Sequence, residues 1–403
     1  MERVGGTGDG YHRMSGGPMR VLHTGDTHIG YRQYGSDDRR RDFLRAFERV
    51  VDDAVDGGYD VLVHAGDLFH SRNPGLGDVR DTVDLFRRLD DAGVEALAVV
   101  GNHESKRDTD WLDLLQDLGL VRRLGTEPVV VSDVAFYGVD HTPSSRFEPS
   151  EVRFSPSPEE ASHNVLVFHG LFEPFPFGET SLEAFVNDTD VDWGAFMLGD
   201  YHHPERDEVG GAVAAYCGST ERASADEDEA RGYNVFEFGD DVFVERRAVE
   251  TRDFVTVDAE VVEGGTDEVI ERTRGYDVEN AVVLVEVTGG SDAPVVQSEV
   301  EEALLERGAL VARVNDRRDR DDEETSEVEF ADPDAAVRER LGEMELTDAG
   351  REIDALVRDG DVARTRIAEE VEERVEGSID ANSDQEGGAG VEKTQQSTLE
   401  DAS

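Results

Sequence analysis

The stretch "HTGDTHIG", residues 23–30, ends an apolar run in a glycine, an aspartate and a histidine. Three later segments have a similar arrangement: "HAGDLFH" at 64–70, "VVGNHE" at 99–104, with asparagine in place of aspartate, and "MLGDYHHP" at 197–204. Each apolar run predicts a strand, and each strand therefore ends in side chains that can bind a metal. Because such side chains at strand C-terminal ends meet at one edge of a sheet, we expect them to lie together.

Around these segments, strands alternate with amphipathic helices. We predict strands at 19–23, 60–64 and 95–100, and helices at 39–55, 78–91 and 109–118. The chain then becomes strand-rich, with predicted strands at 129–131, 134–139, 165–169, 195–198, 212–216, 233–238 and 242–247. The pattern predicts an α/β fold in which two sheets are sandwiched between helices.

The pattern changes near residue 251. Residues 251–316 predict a small α+β domain, with strands at 254–262, 281–287 and 309–314 and helices at 267–274 and 294–306. A charged linker at 317–331 precedes a helical segment at 332–376, which Asp332 and Pro333 open as N-cap and first residue. Residues 1–18 and 377–403 have the composition of a disordered arm and a disordered tail.

The charge balance is strongly acidic. The 403 residues include 94 acidic and 40 basic side chains, for a formal net charge of -54. Such a balance ordinarily argues against nucleic acid as a partner, but at ~1 M salt the Debye length falls to about 3 Å. We interpret the composition as adaptation to molar salt in an extreme halophile of archaeal type, so the global charge does not decide the partner.

Other sequence classes are excluded more simply. No apolar run is long enough for a membrane span, and the N-terminus lacks the order of a secretory signal, so we expect a cytoplasmic protein. Cys217 is the single cysteine, which excludes an intrachain disulfide and a cysteine-based zinc cluster.

The four segments, together with a fifth ending in His169, offer carboxylate, imidazole and amide groups and no thiolate. This mixture suits Mn²⁺, Fe²⁺ or Zn²⁺ better than Ca²⁺. Two cations sharing one carboxylate would lie roughly 3.5–4 Å apart, a spacing suited to displacement at phosphorus. Arg32, Arg72 and Arg107 are candidate phosphate contacts.

The motifs "GDTH", "GDLF", "GNHE", "FHG" and "GDYHH" resemble those of the calcineurin-like metallophosphoesterases. More narrowly, "HTGDTHIGYRQYG" and "HAGDLFHSRNPG" are similar to the SbcD/Mre-type DNA double-strand-break repair nucleases. The resemblance implies a four-layer β-sandwich flanked by helices at 19–250, a DNA-capping domain at 251–316 and an ATPase-binding segment at 332–376. "YCGSTERAS" resembles the family's closing strand and turn, with Cys217 where proline is common.

Residue by residue, the resemblance implies two metal sites. One cation would be bound by Asp26, His28, Asp67 and His202, and the other by Asp67, Asn102, His169 and Asp200. His103 would be catalytic without binding a metal, and His70 would lie beside the substrate. The family's last motif is commonly Gly-His-x-His, whereas this chain has Asp200 at the first histidine position. Either Asp200 is an oxygen ligand that favours harder ions such as Mn²⁺, or His203 compensates, or the second site is weak.

The implied function is a nuclease with two Mn²⁺ per subunit, with Mg²⁺, Fe²⁺ or Zn²⁺ as alternatives. The resemblance implies 3′-to-5′ exonuclease and single-strand endonuclease action on DNA, a homodimer, and a heterotetramer with an SbcC/Rad-type ABC ATPase. Phe86, Leu89, Trp111, Leu112 and Leu115 are expected at the dimer interface. The alternatives are a phosphomonoesterase or phosphoprotein phosphatase of the same fold, and a catalytically weak DNA-end scaffold.

Overall fold

The structure, a computed structural model, describes residues 17–105, 109–143, 147, 149–290 and 292–318. The predicted arm up to residue 16, the linker from residue 319, the helical segment 332–376 and the tail lie outside the described residues. The helices of the described part are α1 Asp37–Asp56, α2 Leu76–Ala92, α3 Trp111–Asp117, α4 Leu182–Asp188, α5 Thr266–Thr273 and α6 Gln297–Glu306. Its strands are β1 Met19–Thr24, β2 Val61–Ala65, β3 Glu95–Val99, β4 Arg122–Arg123, β5 Val129–Val131, β6 Val134–Val139, β7 His163–His169, β8 Phe172–Glu173, β9 Thr180–Ser181, β10 Ala195–Gly199, β11 Glu205–Val209, β12 Ala212–Tyr216, β13 Gly232–Phe238, β14 Val242–Ala248, β15 Phe254–Glu260, β16 Val282–Thr288 and β17 Val311–Asp316.

Two six-stranded sheets form the body of the molecule. The first has the order β14-β13-β1-β2-β3-β4, and β1 to β4 run parallel. The second has the order β11-β12-β10-β7-β6-β5, with β6, β7, β10 and β12 parallel. Thr24 pairs with His64, and Gly199 with His169, so the strand ends within each sheet are level.

The two sheets pack face to face around an apolar layer. That layer includes Val21, Val63 and Leu97 from the first sheet and Val167 and Met197 from the second. Helices α1 and α2 cover the outer face of the first sheet through a second apolar cluster, and α4 covers the second sheet through a third. The four layers confirm the predicted sandwich of two sheets between helices. No helix of the described residues is long and apolar enough to cross a membrane.

Helix α1 shows why the sequence forms these elements. Ser36 accepts a hydrogen bond from the Arg39 amide at the N-terminus, and Asp37 and Asp38 lie in the first turn, where the helix dipole favours negative charge. Phe43 and Phe47 lie four residues apart and are fully buried. A helical period therefore places one apolar face of α1 against the sheet.

The region after residue 251 forms a separate three-stranded sheet. Its order is β15-β16-β17, all parallel, with α5 and α6 as the crossover helices. Valines from the strands, Val269 from α5 and Leu304 from α6 make its own apolar cluster. We call residues 251–316 the cap; the predicted domain boundaries themselves remain predictions.

Five of the numbered elements were not predicted from the sequence: the two-residue strands β4, β8 and β9, the edge strand β11 and helix α4. Strand β11 reads Glu-Arg-Asp-Glu-Val and has no apolar alternation, because it is an edge strand whose backbone pairs with β12 while its first four residues are exposed. Helix α4 spans 7 residues, too few for a helical period to stand out.

The expectation that five apolar side chains of α2 and α3 lie at a dimer interface is wrong for four of them. Phe86, Leu89, Leu112 and Leu115 are at most 4% exposed and pack into the chain's own core, and Trp111 packs against them. The exposed leucines of this region are Leu76, Leu114 and Leu118, at 85%, 37% and 48%. A dimer interface on α2 or α3 would therefore involve these exposed leucines and not the buried ones.

Candidate metal centre

The loops that follow β1, β2, β3 and β10 converge at one end of the sandwich. The Asp26 amide donates to the Gly66 carbonyl, and the His28 amide donates to the Asp67 carbonyl, both at 3.0 Å. Asp26, His28, Asp67 and Asp200 all have positive φ, between 43° and 91°. Strained backbone of this kind in non-glycine residues clusters at functional sites.

The glycine of each motif allows the loops to come this close. A Cβ on Gly66 would lie 2.3 Å from the His169 ring, and one on Gly101 would lie 2.0 Å from the Asp67 carboxylate. Neither His169 nor Asp67 can move to make room for a Cβ atom without displacing a candidate metal ligand. Both glycines are thus required by close approach, and Gly66 also by its positive φ of 92°.

A first group of possible ligands consists of Asp26, His28 and His202, whose ligand atoms lie within 4.8 Å of one another. The Nε2 atoms of His28 and His202 are 3.0 Å apart, and His202 Nε2 lies 3.9 Å from Asp26 Oδ1. His28 Nε2 also lies 3.8 Å from Asp67 Oδ2. Three of the predicted ligands are therefore in one cluster, and the fourth, Asp67, adjoins it.

A second group surrounds the His169 ring. Its Nε2 atom lies 3.0 Å from Asn102 Oδ1, 3.6 Å from Asp67 Oδ1 and 3.8 Å from Asp200 Oδ1. Asp26, Asp67 and His169 likewise form a possible metal-ligand group. Asp67 thus contributes one carboxylate oxygen to each side, as expected of a carboxylate shared by two cations.

The tautomers of two histidines suit metal binding. His169 Nδ1 lies 2.7 Å from the Ala65 carbonyl, which can only accept, so this nitrogen carries the proton. His202 Nδ1 lies 2.7 Å from the Glu227 carboxylate and donates to it in the same way. Because Nδ1 keeps its proton in both rings, each Nε2 faces the centre as the atom that would lose its proton and bind a cation.

The electrostatics of the cluster also suit cations. Burial raises the pKa of Asp26 to about 7, although His169 and His202 favour its charged form. Burial lowers the pKa of His28 well below its ordinary value. Burial opposes protonation of His202 too, but the Glu227 carboxylate raises its pKa to about 10. Bound divalent ions would offset the repulsion among the buried carboxylates and replace these protons.

His103 and His70 lie at the rim of the centre. His103 Nδ1 donates to the His70 carbonyl at 2.9 Å, and its Nε2 lies 4.0 Å from Asp67 Oδ2. The His70 ring stacks on Tyr31 with a centroid distance of 3.9 Å. Burial, followed by the nearby His103, lowers the pKa of His70 to about 4, so this ring is neutral near pH 7.

Asp200 and His203 have different surroundings. The Asp200 amide donates to the Asp26 carboxylate at 3.1 and 3.2 Å, and its own carboxylate faces His169. His203 Nδ1 instead pairs with Glu229 Oε2 at 2.7 Å on the exposed side of the loop. The geometry therefore favours Asp200 over His203 at the second site.

The candidate arginines are less tied to the centre. Arg32 is exposed and pairs with Asp37 at 3.0 Å. The Arg72 carbonyl accepts a hydrogen bond from the Trp111 indole. Arg107 lies outside the described residues. Phosphate contact by these three arginines remains a prediction.

Three residues near the centre were missed by the sequence analysis. Glu227 binds His202, and Glu104 accepts from the Phe69 and Gly101 amides and so ties the second loop to the third. The His141 ring lies 5.9 Å from the His169 ring. Only Glu104 had a sequence signal, as the last residue of "VVGNHE"; the other two reach the site from segments without a motif.

Comparisons with known proteins identify relatives of this chain. The sequence model of the family described as calcineurin-like phosphoesterase matches residues 19–212. A DNA double-strand break repair protein Mre11 from Haloferax volcanii is 50% identical over 369 residues, which cover 91% of this chain and 83% of that protein. The protein of the same name from Halobacterium salinarum is 46% identical over 373 residues, covering 91% of this chain and 96% of that protein. A third, from Methanosarcina mazei, is 42% identical and is covered over 60% of its length.

Proposed function

Because the chain belongs to the family of DNA double-strand break repair proteins Mre11, we propose that it is a manganese-dependent DNA nuclease with 3′-to-5′ exonuclease and single-strand endonuclease activity. It is a dimetal phosphodiesterase of DNA double-strand break repair, from a halophile. The observation that carries the finer proposal is the convergence of Asp26, Asp67, His169 and His202, in which the Nε2 atom of each histidine lies near an aspartate carboxylate.

The proposed ligand sets follow the two groups around Asp67. Asp26, His28, Asp67 and His202 would bind one cation, and Asp67, Asn102, His169 and Asp200 the other. Three carboxylates, an amide oxygen and three imidazoles form a mixed oxygen and nitrogen set, which suits Mn²⁺ more than Ca²⁺. When bound, two such cations would supply an activated water and stabilise the charge that develops on the phosphodiester.

His103 is the proposed catalytic residue. Its Nδ1 proton is committed to the His70 carbonyl, so Nε2 is the atom that would hold a proton for the leaving oxygen or donate to the phosphorane. Its position beside Asp67 and the His28 ring supports this role. His70, backed by Tyr31, would shape the entry for the nucleotide next to the scissile bond.

Aromatic and arginine side chains between the centre and the cap support DNA as substrate. Tyr31 stacks on His70 at the centre, and Arg313 of the cap lies over the Tyr34 ring at 5.5 Å. Arg222 lies over Phe254, the first residue of β15, at 4.4 Å. Aromatic faces that stack on bases, with arginines near the phosphates, suit single-stranded and frayed DNA.

We further propose a homodimer and a heterotetramer with an SbcC/Rad-type ABC ATPase. Family membership supports the ATPase partnership, since relatives of this name cover most of the chain. The segment proposed to bind the ATPase, 332–376, lies outside the described residues.

Substitutions at Asp200 and His203 test the second ligand set. Asp200→Ala should weaken one of two Mn²⁺ sites and leave activity recoverable only at raised Mn²⁺, because the first ligand set stays complete. His203→Ala should be nearly silent, because its partner is Glu229. Calorimetric Mn²⁺ titration with rate measurements checks both. Wild-type affinity in Asp200→Ala would remove Asp200 from the site.

The nuclease itself is tested with the full chain in molar KCl and Mn²⁺. Labelled duplex and single-stranded DNA should be cleaved far faster than a small aryl phosphate. Asp67→Asn should abolish cleavage, while Asp133→Asn, an exposed aspartate of the β5–β6 turn, should not. Preference for the aryl phosphate would favour the phosphomonoesterase alternative, and DNA binding without turnover would favour the end-binding scaffold.

A further inference from the structure

A loop after β12 contacts the metal centre from outside the four motifs. It runs over residues 219–231, and we call it the closing loop. Glu227 in this loop is 2% exposed, and its Oε1 accepts a hydrogen bond from His202 Nδ1 at 2.7 Å. His202 is a proposed ligand of the first cation, so the closing loop reaches that site through the Glu227 side chain.

The second oxygen of Glu227 is held independently. Oε2 accepts from Ser219 Oγ and the Ala223 amide at 2.9 Å each, and from Arg231 Nη1 at 3.2 Å. Arg231 is itself 2% exposed and also donates to the His202 carbonyl. With three donors on one oxygen, the carboxylate cannot rotate, and its other oxygen stays directed at the imidazole.

We propose that Glu227 is a positioning residue that holds His202 in the tautomer with its proton on Nδ1 and its Nε2 lone pair directed at the first cation. The proposal rests on the proposed function in that His202 is taken as a metal ligand. A carboxylate behind a ligating imidazole fixes the ring and increases its basicity, and loss of such a partner typically weakens metal binding about 10–100-fold.

The closing loop contains its own control. Glu229 Oε2 pairs with His203 Nδ1 at 2.7 Å, the same distance as in the Glu227–His202 pair. Glu229 is 52% exposed, however, and His203 belongs to none of the possible metal-ligand groups of the described residues. The two glutamates therefore share residue type, loop and bond length, and differ in whether their histidine belongs to such a group.

Glu227→Gln makes the sharper variant because it keeps the volume. Three donors surround the Oε2 position, so the amide oxygen is expected there and the amide nitrogen is expected to face His202. An amide nitrogen donates, so Nδ1 would have to accept and the proton would move to Nε2, the atom that should bind the cation. The substitution therefore opposes metal binding without removing a ligand.

The experiment is calorimetric Mn²⁺ titration of the full chain in molar KCl. Glu227→Gln should weaken one of the two sites by about 10–100-fold and leave the other unchanged, whereas Glu229→Gln should match the wild type. In a His202→Ala background, Glu227→Gln should cause no further loss, because its effect passes through that ring. The thermal midpoint of each metal-free variant is measured in parallel.

Two results would overturn the proposal. One is wild-type affinity at both sites in Glu227→Gln, and the other is an equal loss at both sites that tracks a fall in the metal-free thermal midpoint. A further loss of affinity from Glu227→Gln in the His202→Ala background would count against it as well. The readout is metal affinity, so a wild-type chain that bound Mn²⁺ but failed to cleave DNA would refute the proposed function alone.

Discussion

At the scale of single residues, substitution of His103 tests whether this residue acts in catalysis without binding a metal. Its ring is anchored by a hydrogen bond to the His70 carbonyl and lies beside Asp67. His103→Ala should keep both cations and lower turnover by about 10²–10⁴-fold, the usual contribution of general acid catalysis. Single-turnover cleavage with Mn²⁺ titration checks this, and His163→Ala, a histidine bonded to the Gly239 carbonyl, is the control. Loss of a cation in His103→Ala would make it a ligand instead.

Two buried histidines below the centre predict acid sensitivity. Burial, followed by nearby cationic side chains, lowers the pKa of both His23 and His64 to about 3. Their unfolded value is 6.5, so the stability they support is complete above pH 6.5 and is lost as pH falls toward 3. Between pH 7 and 5, each of these histidines should lower the free energy of unfolding by about 2 kcal/mol.

The measurement is thermal or denaturant unfolding at constant salt across that pH range. His64→Gln should show a shallower loss of stability than the wild type, by about 2 kcal/mol between pH 7 and 5, since glutamine does not titrate. An unchanged slope in this variant would mean that other groups control acid unfolding.

At the scale of elements, helix α3 has one leucine in the core and a neighbouring leucine exposed on the surface. Leu115 is 2% exposed, whereas Leu114 beside it is 37% exposed. If the proposed homodimer uses this helix, Leu114→Asp should give folded monomers. Leu115→Asp should instead destabilise the fold by several kcal/mol, because it buries a charge without a partner. Light scattering and circular dichroism at high salt distinguish the two outcomes. A dimer that survives Leu114→Asp would place the interface elsewhere.

At the scale of the whole molecule, a buried ion cluster joins the cap to the body. Arg252 donates to Asp42 of α1 and to the Asn280 carbonyl of the cap, each at 2.7 Å. Arg39, fully buried, donates to Asp42 at 2.8 Å and to Glu221 of the closing loop at 3.2 Å. The cap, α1 and the closing loop therefore meet at one set of charges.

Arg252→Gln should weaken this connection. We expect a loss of about 2 kcal/mol in stability, since Asp42 keeps Arg39 as a partner but loses a charged donor. If the cap guides DNA, as the resemblance implies, cleavage of duplex DNA should fall more than cleavage of a small diester. Arg247→Gln, an exposed arginine of β14 paired with Glu245, is the matched control. An equal fall on both substrates would show that the cluster acts on the centre and not on DNA placement.

The sequence by itself determined most of the strands and helices and the order in which candidate ligands appear. These features depend on the local sequence. An apolar run that ends in Gly-Asp or Gly-Asn predicts a strand followed by a turn. The resemblance of the motifs then implied that Asp26, His28, Asp67 and His169 bind metals. The structure brings these four residues together. The net charge also follows from the sequence, but it did not decide whether nucleic acid is the partner.

Only the tertiary structure decided which side chains support the ligands and which leucines face solvent. Glu227 reaches His202 across 25 positions, and the Ala65 carbonyl reaches His169 across 104, distances over which no periodicity carries information. Leu114 and Leu115 are chemically identical neighbours, and their different exposure follows from the direction in which α3 packs. Such pairings depend on how layers meet, because a side chain's partner is set by the elements packed against it and not by its neighbours along the chain.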